Sequence, residues 1–295
     1  MMHLSPSTRG LALIVLAAML WGTSGTAQSL APEQLSPYWV GALRVAFAAA
    51  FFALLAGPRA VGAQPPWPWR RLWPAALCIA CYNLSFFAGV RLSGVALGTA
   101  LAIGSGPLWA GLLEALWLRR WPSGLWWLGT VVSVAGGVAM VLGQGGTLQL
   151  SAAGVALCLL AGLCYAIYAL LSKSLVLQLG PARTNLGVFM LASLLSLPLA
   201  WALGGPLQTD ARGWAVALYL GLVSSGLAYL LFTTALRHVS GATGVTLALF
   251  EPVTAFALAE LVVGEAPQAL AYAGLGAVLL GLLLVVWAEL RTQRR

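Results

Sequence analysis

A carboxylate and a proline stand side by side in TLALFEPVTAFALAELVVGEAP, Thr246 to Pro267, a run otherwise apolar enough to cross a bilayer. Glu251 can recognise an amine, carry a proton, or help to fix a bend. Pro252 removes a backbone donor and frees a carbonyl one turn back. An ionised acid at the bilayer centre costs at least about 2.5–3.5 kcal/mol. The acid must therefore be protonated, partnered or facing water. Glu251 is expected to face a cavity or a seam, bonded to hydroxyl groups or freed backbone, with fixing the bend as its foremost role.

Other side chains with recognition chemistry fall on helical stripes. Trp21, Ser24, Gly25 and Gln28 follow an i, i+3, i+4, i+7 spacing and share one face. Tyr82, Ser85, Phe86 and Gly89 form a second stripe, with Asn83 one position around. An unpaired amide in hydrocarbon costs several kcal/mol, so Asn83 must face protein or water. GSGPLW, Gly104–Trp109, joins small residues, Ser105 among them, to Pro107 and the large Trp109. Tyr165 and Tyr168 follow Cys158 and Gly162, and Tyr229 lies between Ser225 and Phe232. A tyrosine turned inward offers a ligand both an apolar body and a hydroxyl. Several of these residues have plainer readings open: Gln28 and the tyrosines as interfacial anchors, Asn83 as an interhelical hydrogen bond. Trp21, Ser24, Gln28, Tyr82, Asn83, Phe86, Ser105, Trp109, Tyr165, Tyr168, Tyr229 and Glu251 are the expected substrate contacts, with kinks at Pro107 and Pro252.

The elements that carry them are membrane spans. The chain has 295 residues, 61% hydrophobic and only 7% charged, with a mean hydropathy of +0.92. A soluble protein carries roughly 25% charged residues, so the natural solvent of most of this chain is lipid. About 20 apolar residues make a span. Ten segments qualify: Leu11–Leu30, Tyr38–Ala56, Leu72–Val90, Val95–Leu118, Leu125–Leu142, Ala152–Leu171, Leu186–Leu203, Trp214–Leu236, Thr243–Val263 and Leu270–Ala288. The fold class is all-α integral membrane. Leu11–Leu20 behind Arg9 also has the form of a signal peptide, but its removal would leave nine spans and reverse the charge logic below.

The net charge of +8 is organised by topology and needs no nucleic acid. With a cytoplasmic N-terminus, Arg9, Arg59, Arg70, Arg71, Arg119, Arg120, Lys173, Arg183, Arg237, Arg291, Arg294 and Arg295 share the cytoplasmic side, 12 of 15 basic residues. Arg91 and Arg212 lie opposite, and Arg44 falls inside a span, where snorkelling to headgroups is the default. This is the positive-inside rule with both termini cytoplasmic. Cys78-x-x-Cys81 has the spacing of half a zinc site without a second pair, so Cys78, Cys81, Cys158 and Cys164 read as buried small apolar residues. No metal or cofactor is expected.

The halves repeat. Ala100–Val138 aligns with Thr246–Leu284 at an offset of 145, matching Pro107 with Pro252, Gly129 with Gly274 and Gly136 with Gly281. FFAGVRLSG (Phe86–Gly94) resembles FTTALRHVSG (Phe232–Gly241), and LWGTSG (Leu20–Gly25) stands where CYAIYA (Cys164–Ala169) stands. A repeat of five spans must re-enter the membrane inverted, a construction used by secondary transporters. The expected units are residues 1–148 and 149–295, each of five helices. The copies differ where it matters: the first reads Gly106-Pro107 and Arg119-Arg120 where the second reads Glu251-Pro252 and Gly264-Glu265.

The ten-span plan, LWGTSG, the SPYWVGALRVAFAA stretch (Ser36–Ala49) and the repeated L-R-h-h-S-G…E-P…G-E pattern resemble the drug/metabolite transporter superfamily, in its EamA-like ten-helix branch. The resemblance spans about Leu11 to Ala288. It implies movement of small metabolites, often export of amino acids, without ATP hydrolysis. It also implies a midplane cavity lined by helices 1, 3, 4, 6, 8 and 9, with alternating access through the cell inner membrane. The aromatic content favours the YddG-like aromatic amino-acid exporter group. The implied partners are a small-molecule substrate and the lipid bilayer.

Other classes fit less well. A membrane-embedded enzyme wants clustered His and acids, yet the histidines are His3 and His238 and Lys173 is the only lysine. A passive channel wants a continuous polar pore. Glu114 and Glu260 are expected near the ends of their spans with no functional role. The small faces Gly129/Ser133/Gly136 and Gly274/Ala277/Gly281 suit packing against the bundle or a dimer contact. The charge pattern predicts that epitope tags on both chain ends report from the same, arginine-rich face in intact vesicles; opposite faces would refute the topology.

Overall fold

The computed structural model describes residues 5–29, 35–57, 65–93, 95–143, 151–264 and 267–292, and among these the regular structure is entirely helical. The expected repeat junction between residues 148 and 149 lies outside them, as do Arg59, Glu265, Arg294 and Arg295. Ten long helices follow one another: α1 Pro6–Ser29, α2 Pro37–Ala56, α3 Trp69–Ser93, α4 Val95–Leu116, α5 Gly124–Leu142, α6 Ala152–Leu179 and α7 Pro181–Leu203. They continue with α8 Ala211–Ala235, α9 Gly241–Val262 and α10 Ala269–Thr292. Nine are apolar and long enough to span by composition alone; α3, with Arg70, Arg71 and Asn83 in its 25 residues, is the tenth.

Short polar residues start many of these helices. Ser36, Ser123, Ser151, Asp210 and Ser240 each accept a hydrogen bond from the backbone N–H three residues on. Such caps satisfy donors that hydrocarbon would leave bare. The sixth helix runs eight residues past its expected end at Leu171, through Lys173 to Leu179. It stops at Gly180, which takes φ +77° ahead of Pro181.

Helix neighbours obey an exchange of helix n with helix n+5. α5 packs on α10 and α2 on α7; α1 packs on α8 and α9, as α6 packs on α3 and α4; and α3 meets α7 as α8 meets α2. The residue contacts repeat the same operation. A methyl built on Gly129 would lie 2.7 Å from the Gly281 carbonyl oxygen, and one on Gly274 would lie 2.6 Å from that of Gly136. Adding 145 to 129 and subtracting it from 281 turns the first contact into the second. Ser133 donates to the Val278 carbonyl at 3.4 Å, a pair separated by 145 residues and hence at the axis itself. The chain is thus two inverted five-helix repeats. The glycine faces of α5 and α10 bury each other, so of the two expected roles they serve packing within the bundle.

Two helices are irregular. α8 carries a π-helical stretch at Leu220–Leu227, with Phe47 packed on Gly221 and Phe51 on Gly226. Such stretches re-aim side chains and are frequent at functional sites. α9 breaks between Leu247 and Phe250, just ahead of Pro252. There Glu251 N–H donates to the Ala248 carbonyl at 2.9 Å and Leu249 N–H to Thr246 at 3.0 Å, closing a tight turn. The carbonyl freed by Pro252 is thereby used. Its counterpart Pro107 lies within an unbroken α4, so the expected pair of kinks is a break in one copy alone.

Replacing Gly136 by Leu should force α5 from α10 and cost about 1–3 kcal/mol of stability. Gly137→Leu, where an added Cβ meets nothing within 4 Å, should not. Thermal melts in detergent measure both; equal melting temperatures would remove the seam from the account.

Candidate functional site

The stripes read from sequence converge on one aromatic cluster at the middle of the bundle. Trp21 of α1 touches Tyr165 of α6 (ring centroids 6.3 Å), Tyr229 of α8 (5.1 Å) and Phe232 (5.4 Å). Tyr165 continues to Tyr82 of α3 at 5.8 Å, which stacks on Phe86 at 5.8 Å, and to Tyr168 at 6.4 Å. Tyr168 and Tyr229 meet at 5.8 Å, and Tyr229 rests on Phe189 of α7 at 4.9 Å. Both repeats contribute: α1 and α3 from the first, α6, α7 and α8 from the second. Edge and offset contacts of this kind stabilise beyond their buried area. Tyr165 is half-buried, yet its hydroxyl finds no partner, and neither do the indole N–H groups of Trp21 and Trp109. Unsatisfied donors in apolar surroundings are costly, and a polar solute among the rings would relieve them.

Glu251 closes this cluster from α9. A methyl on Gly22 would lie 2.6 Å from the Glu251 carbonyl oxygen, so α1 presses directly on the break. The half-buried side chain leaves from the turn beside Gly22, whose neighbour Trp21 belongs to the cluster. It accepts no hydrogen bond from a described residue, contrary to the expected hydroxyl or backbone partner. The kink is held by backbone bonds and by Gly22, so the carboxylate is left available.

Arg44 does not snorkel. Its Nε donates to Ser225 Oγ at 3.0 Å, within the π-helical stretch of α8. The neighbouring Ser224 bonds Ser24 Oγ at 2.6 Å, and Thr23 bonds the Tyr219 hydroxyl at 2.7 Å. The irregular turn brings Ser224 and Ser225 against two different helices. Ser225 was visible on the α8 stripe, but Arg44 stood out only as a lone charge in its span.

The other expected contacts are placed differently. Gln28 Nε2 returns to the Ser24 carbonyl at 3.1 Å, beside Gly25, whose surroundings are open. Ser105 is buried in the α4–α6 seam, with its Oγ where a methyl on Gly162 would stand. Asn83 donates to the Ile79 carbonyl at 2.8 Å and lines a small crevice with Tyr38 and Ser196 between α2, α3 and α7. It is therefore turned from the rings. Trp109 packs on the same core as the cluster, and a methyl on Gly106 would lie 3.8 Å from the Tyr165 ring.

A polar knot missed in the sequence joins five helices, α4, α5, α6, α9 and α10, where α9 begins. Glu114 of α4, only 6% exposed, accepts from Ala242 N–H at 3.3 Å, and Glu289 of α10 accepts from Ser240 N–H at 3.2 Å. Thr243 donates its hydroxyl to Glu289 at 2.6 Å and accepts from the Trp126 indole at 3.2 Å. Lys173 of α6 donates to the Val239 carbonyl. Two carboxylates thus sit at the positive end of α9. Glu114 does lie near its span end, but it is a buried cap. Glu260 is exposed and takes a hydrogen bond from Tyr272 at 2.8 Å.

The model of the EamA-like transporter family matches residues 8–142 and again 152–287. The chain belongs to this family. A relative named "Uncharacterized transporter YwfM", from Bacillus subtilis (strain 168), is 36% identical over 272 residues, 92% of each chain. The threonine/homoserine exporter RhtA of Escherichia coli (strain K12) is 28% identical over 288 residues, covering 90% of this chain and 87% of that one. A solved crystal structure superposes with a TM-score of 0.83 at 16% identity, covering 99% of this chain and 100% of the other. The protein is therefore a multi-pass EamA-family transporter of small metabolites, and not an enzyme.

Glu289→Ala should leave Ser240 N–H and Thr243 without their acceptor, at about 1–3 kcal/mol. Glu260→Ala, at an exposed pair, should stay within about 0.5 kcal/mol. Detergent melts compare the two, and equal shifts would deny the knot its structural role.

Proposed function

We propose that this EamA-family chain exports small neutral amino acids, aromatic or hydroxyl-bearing, by alternating access across a cell inner membrane, with both termini cytoplasmic. The reading rests chiefly on Tyr165. Its ring lies between Trp21 of the first repeat and Tyr168 of the second, and its hydroxyl is unspent. The rings suit an apolar side chain, and the free donors suit a polar end. The exporter RhtA, whose name records threonine and homoserine, lends the amino-acid class. Inverted repeats that can rock about a shared seam suit alternating access. The arginine-rich side favours a cytoplasmic place for both termini. The substrate contacts are Trp21, Tyr82, Phe86, Trp109, Tyr165, Tyr168, Tyr229 and Glu251, with Ser24 and Gln28 toward one mouth.

Counterflow in liposomes tests this. Vesicles preloaded with phenylalanine, tyrosine, tryptophan, threonine or homoserine should take up the labelled amino acid faster than empty ones, as a carrier requires and a pore does not. Tyr165→Phe should not lower the melting temperature, because no hydrogen bond is lost and an unpaired buried hydroxyl is removed. The same change should lower transport by about three- to tenfold, the worth of one neutral hydrogen bond. No stimulation by any of the five would overturn the substrate class, and unaltered transport in the variant would remove Tyr165 from the site.

A further inference from the structure

Two charges of opposite sign stand inside the bundle with their polar atoms unspent. Arg44 uses Nε on Ser225, and its terminal nitrogens donate to no described residue. Glu251 accepts from none. Both side chains are half-buried. They come from different repeats, on α2 and α9, and make no direct ion pair among the described residues, although each lies within electrostatic reach of the other. Tyr82 and Tyr229 of the aromatic cluster lie within electrostatic reach of both charges.

Local structure holds the two charges where they are. Ser225 anchors Arg44 from the π-helical stretch, and the Ser24–Ser224 bond ties that stretch to α1. Gly22, next to Trp21, lets α1 press on the Glu251 carbonyl. Trp21, Arg44 and Glu251 are thus coupled through one short length of α1. A charged side chain in this setting is costly unless it is matched. Here each is matched at a distance and left short of hydrogen bonds, with Arg44 offering the fork geometry that suits a carboxylate.

We propose that Arg44 and Glu251 are the specificity determinants of this site, Arg44 receiving the carboxylate and Glu251 the ammonium group of a zwitterionic α-amino acid. The proposal rests on the amino-acid reading above and sharpens it. A zwitterion satisfies both charges at once. An amine without a carboxylate meets Glu251 but also the Arg44 charge, and a carboxylic acid without an amine meets the reverse. Discrimination then comes from repulsion as well as from attraction. The rings leave the side chain loosely specified, so the head group carries the selection.

The test is competition against counterflow of labelled phenylalanine, using phenylalanine, phenethylamine and 3-phenylpropionate on wild type, Arg44→Gln and Glu251→Gln. Wild type should prefer the amino acid to either analogue by about tenfold or more, the worth of a charge-assisted hydrogen bond. Glu251→Gln should lose about tenfold in apparent affinity for phenylalanine and close the gap to 3-phenylpropionate. Arg44→Gln should close the gap to phenethylamine instead. Melting temperatures check folding, and Arg44→Lys and Glu251→Asp, which keep the charge, should retain the wild-type order of preference. Affinities within about twofold of wild type in both Gln variants, or equal losses for all three compounds, would overturn the assignment while leaving amino-acid transport standing. A wild type that carries no amino acid would remove the reading beneath it as well.

Discussion

Hydrocarbon offers no hydrogen bonds, and that single constraint accounts for most of what this chain does with its few polar groups. Every backbone donor and every charge must be met by protein or by water held within protein. The serine and aspartate caps meet it at helix starts, and the tight turn at Ala248–Glu251 meets it where Pro252 interrupts α9. Glu114 and Glu289 meet it at the N-terminus of α9, where two carboxylates receive the N–H groups of Ala242 and Ser240. Among the buried groups it leaves unmet, the Tyr165 hydroxyl and the Trp21 and Trp109 indoles lie in or beside the aromatic cluster, while others, such as Thr130, Arg183 and Ser196, lie away from it.

The two repeats share a scaffold and divide the chemistry. The α5–α10 seam obeys the pseudo-twofold almost residue by residue, because close helix approach without side chains has few solutions and Gly129, Gly136, Gly274 and Gly281 supply one. Positions around the cluster break the symmetry. Pro107 lies in an unbroken α4, whereas Pro252 follows the break in α9; Gly106 stands where Glu251 stands; and π-helical stretches lie in α8 at Leu220–Leu227 and in α9 at Ala259–Val263, both in the second repeat. A symmetric pair of acids would repel across the axis. One acid, set against an arginine from the other repeat, avoids that and gives the centre a direction.

The aromatic cluster and the knot meet different parts of α9. Glu251 is ten residues from Gly241, at most about 15 Å along a helix that breaks between them. The knot joins α4 and α5 of the first repeat to α6, α9 and α10 of the second, so it ties the halves there. Elsewhere, Ser24, Thr23 and Arg44 reach α8 through single hydrogen bonds, and Gly25 has open space about it. The start of α9 is thus knitted more tightly than the contacts of α1 and α2 with α8.

Composition and periodicity determined the spans, the repeat and its inversion, because solvation by lipid acts on stretches of about 20 residues and leaves little freedom. Stripes at helical spacing also brought Trp21, Tyr82, Phe86, Tyr165, Tyr168 and Tyr229 to one place, since a face is a local property of a helix. Tertiary structure alone decided the rest. Asn83 and Ser105 share the polarity of the cluster residues but turn into their own helix or a seam, which depends on rotation about the helix axis and on what packs beside it. Arg44 and Glu114 looked like charges bound for the headgroups. They became a bundle-centre donor and a helix cap because a π-helical stretch and a broken helix, each set by long-range packing, brought acceptors and donors to them. Which polar groups meet is a matter of distances between helices, and those are fixed by contacts up to 200 positions apart in the chain, as between Ser24 and Ser224.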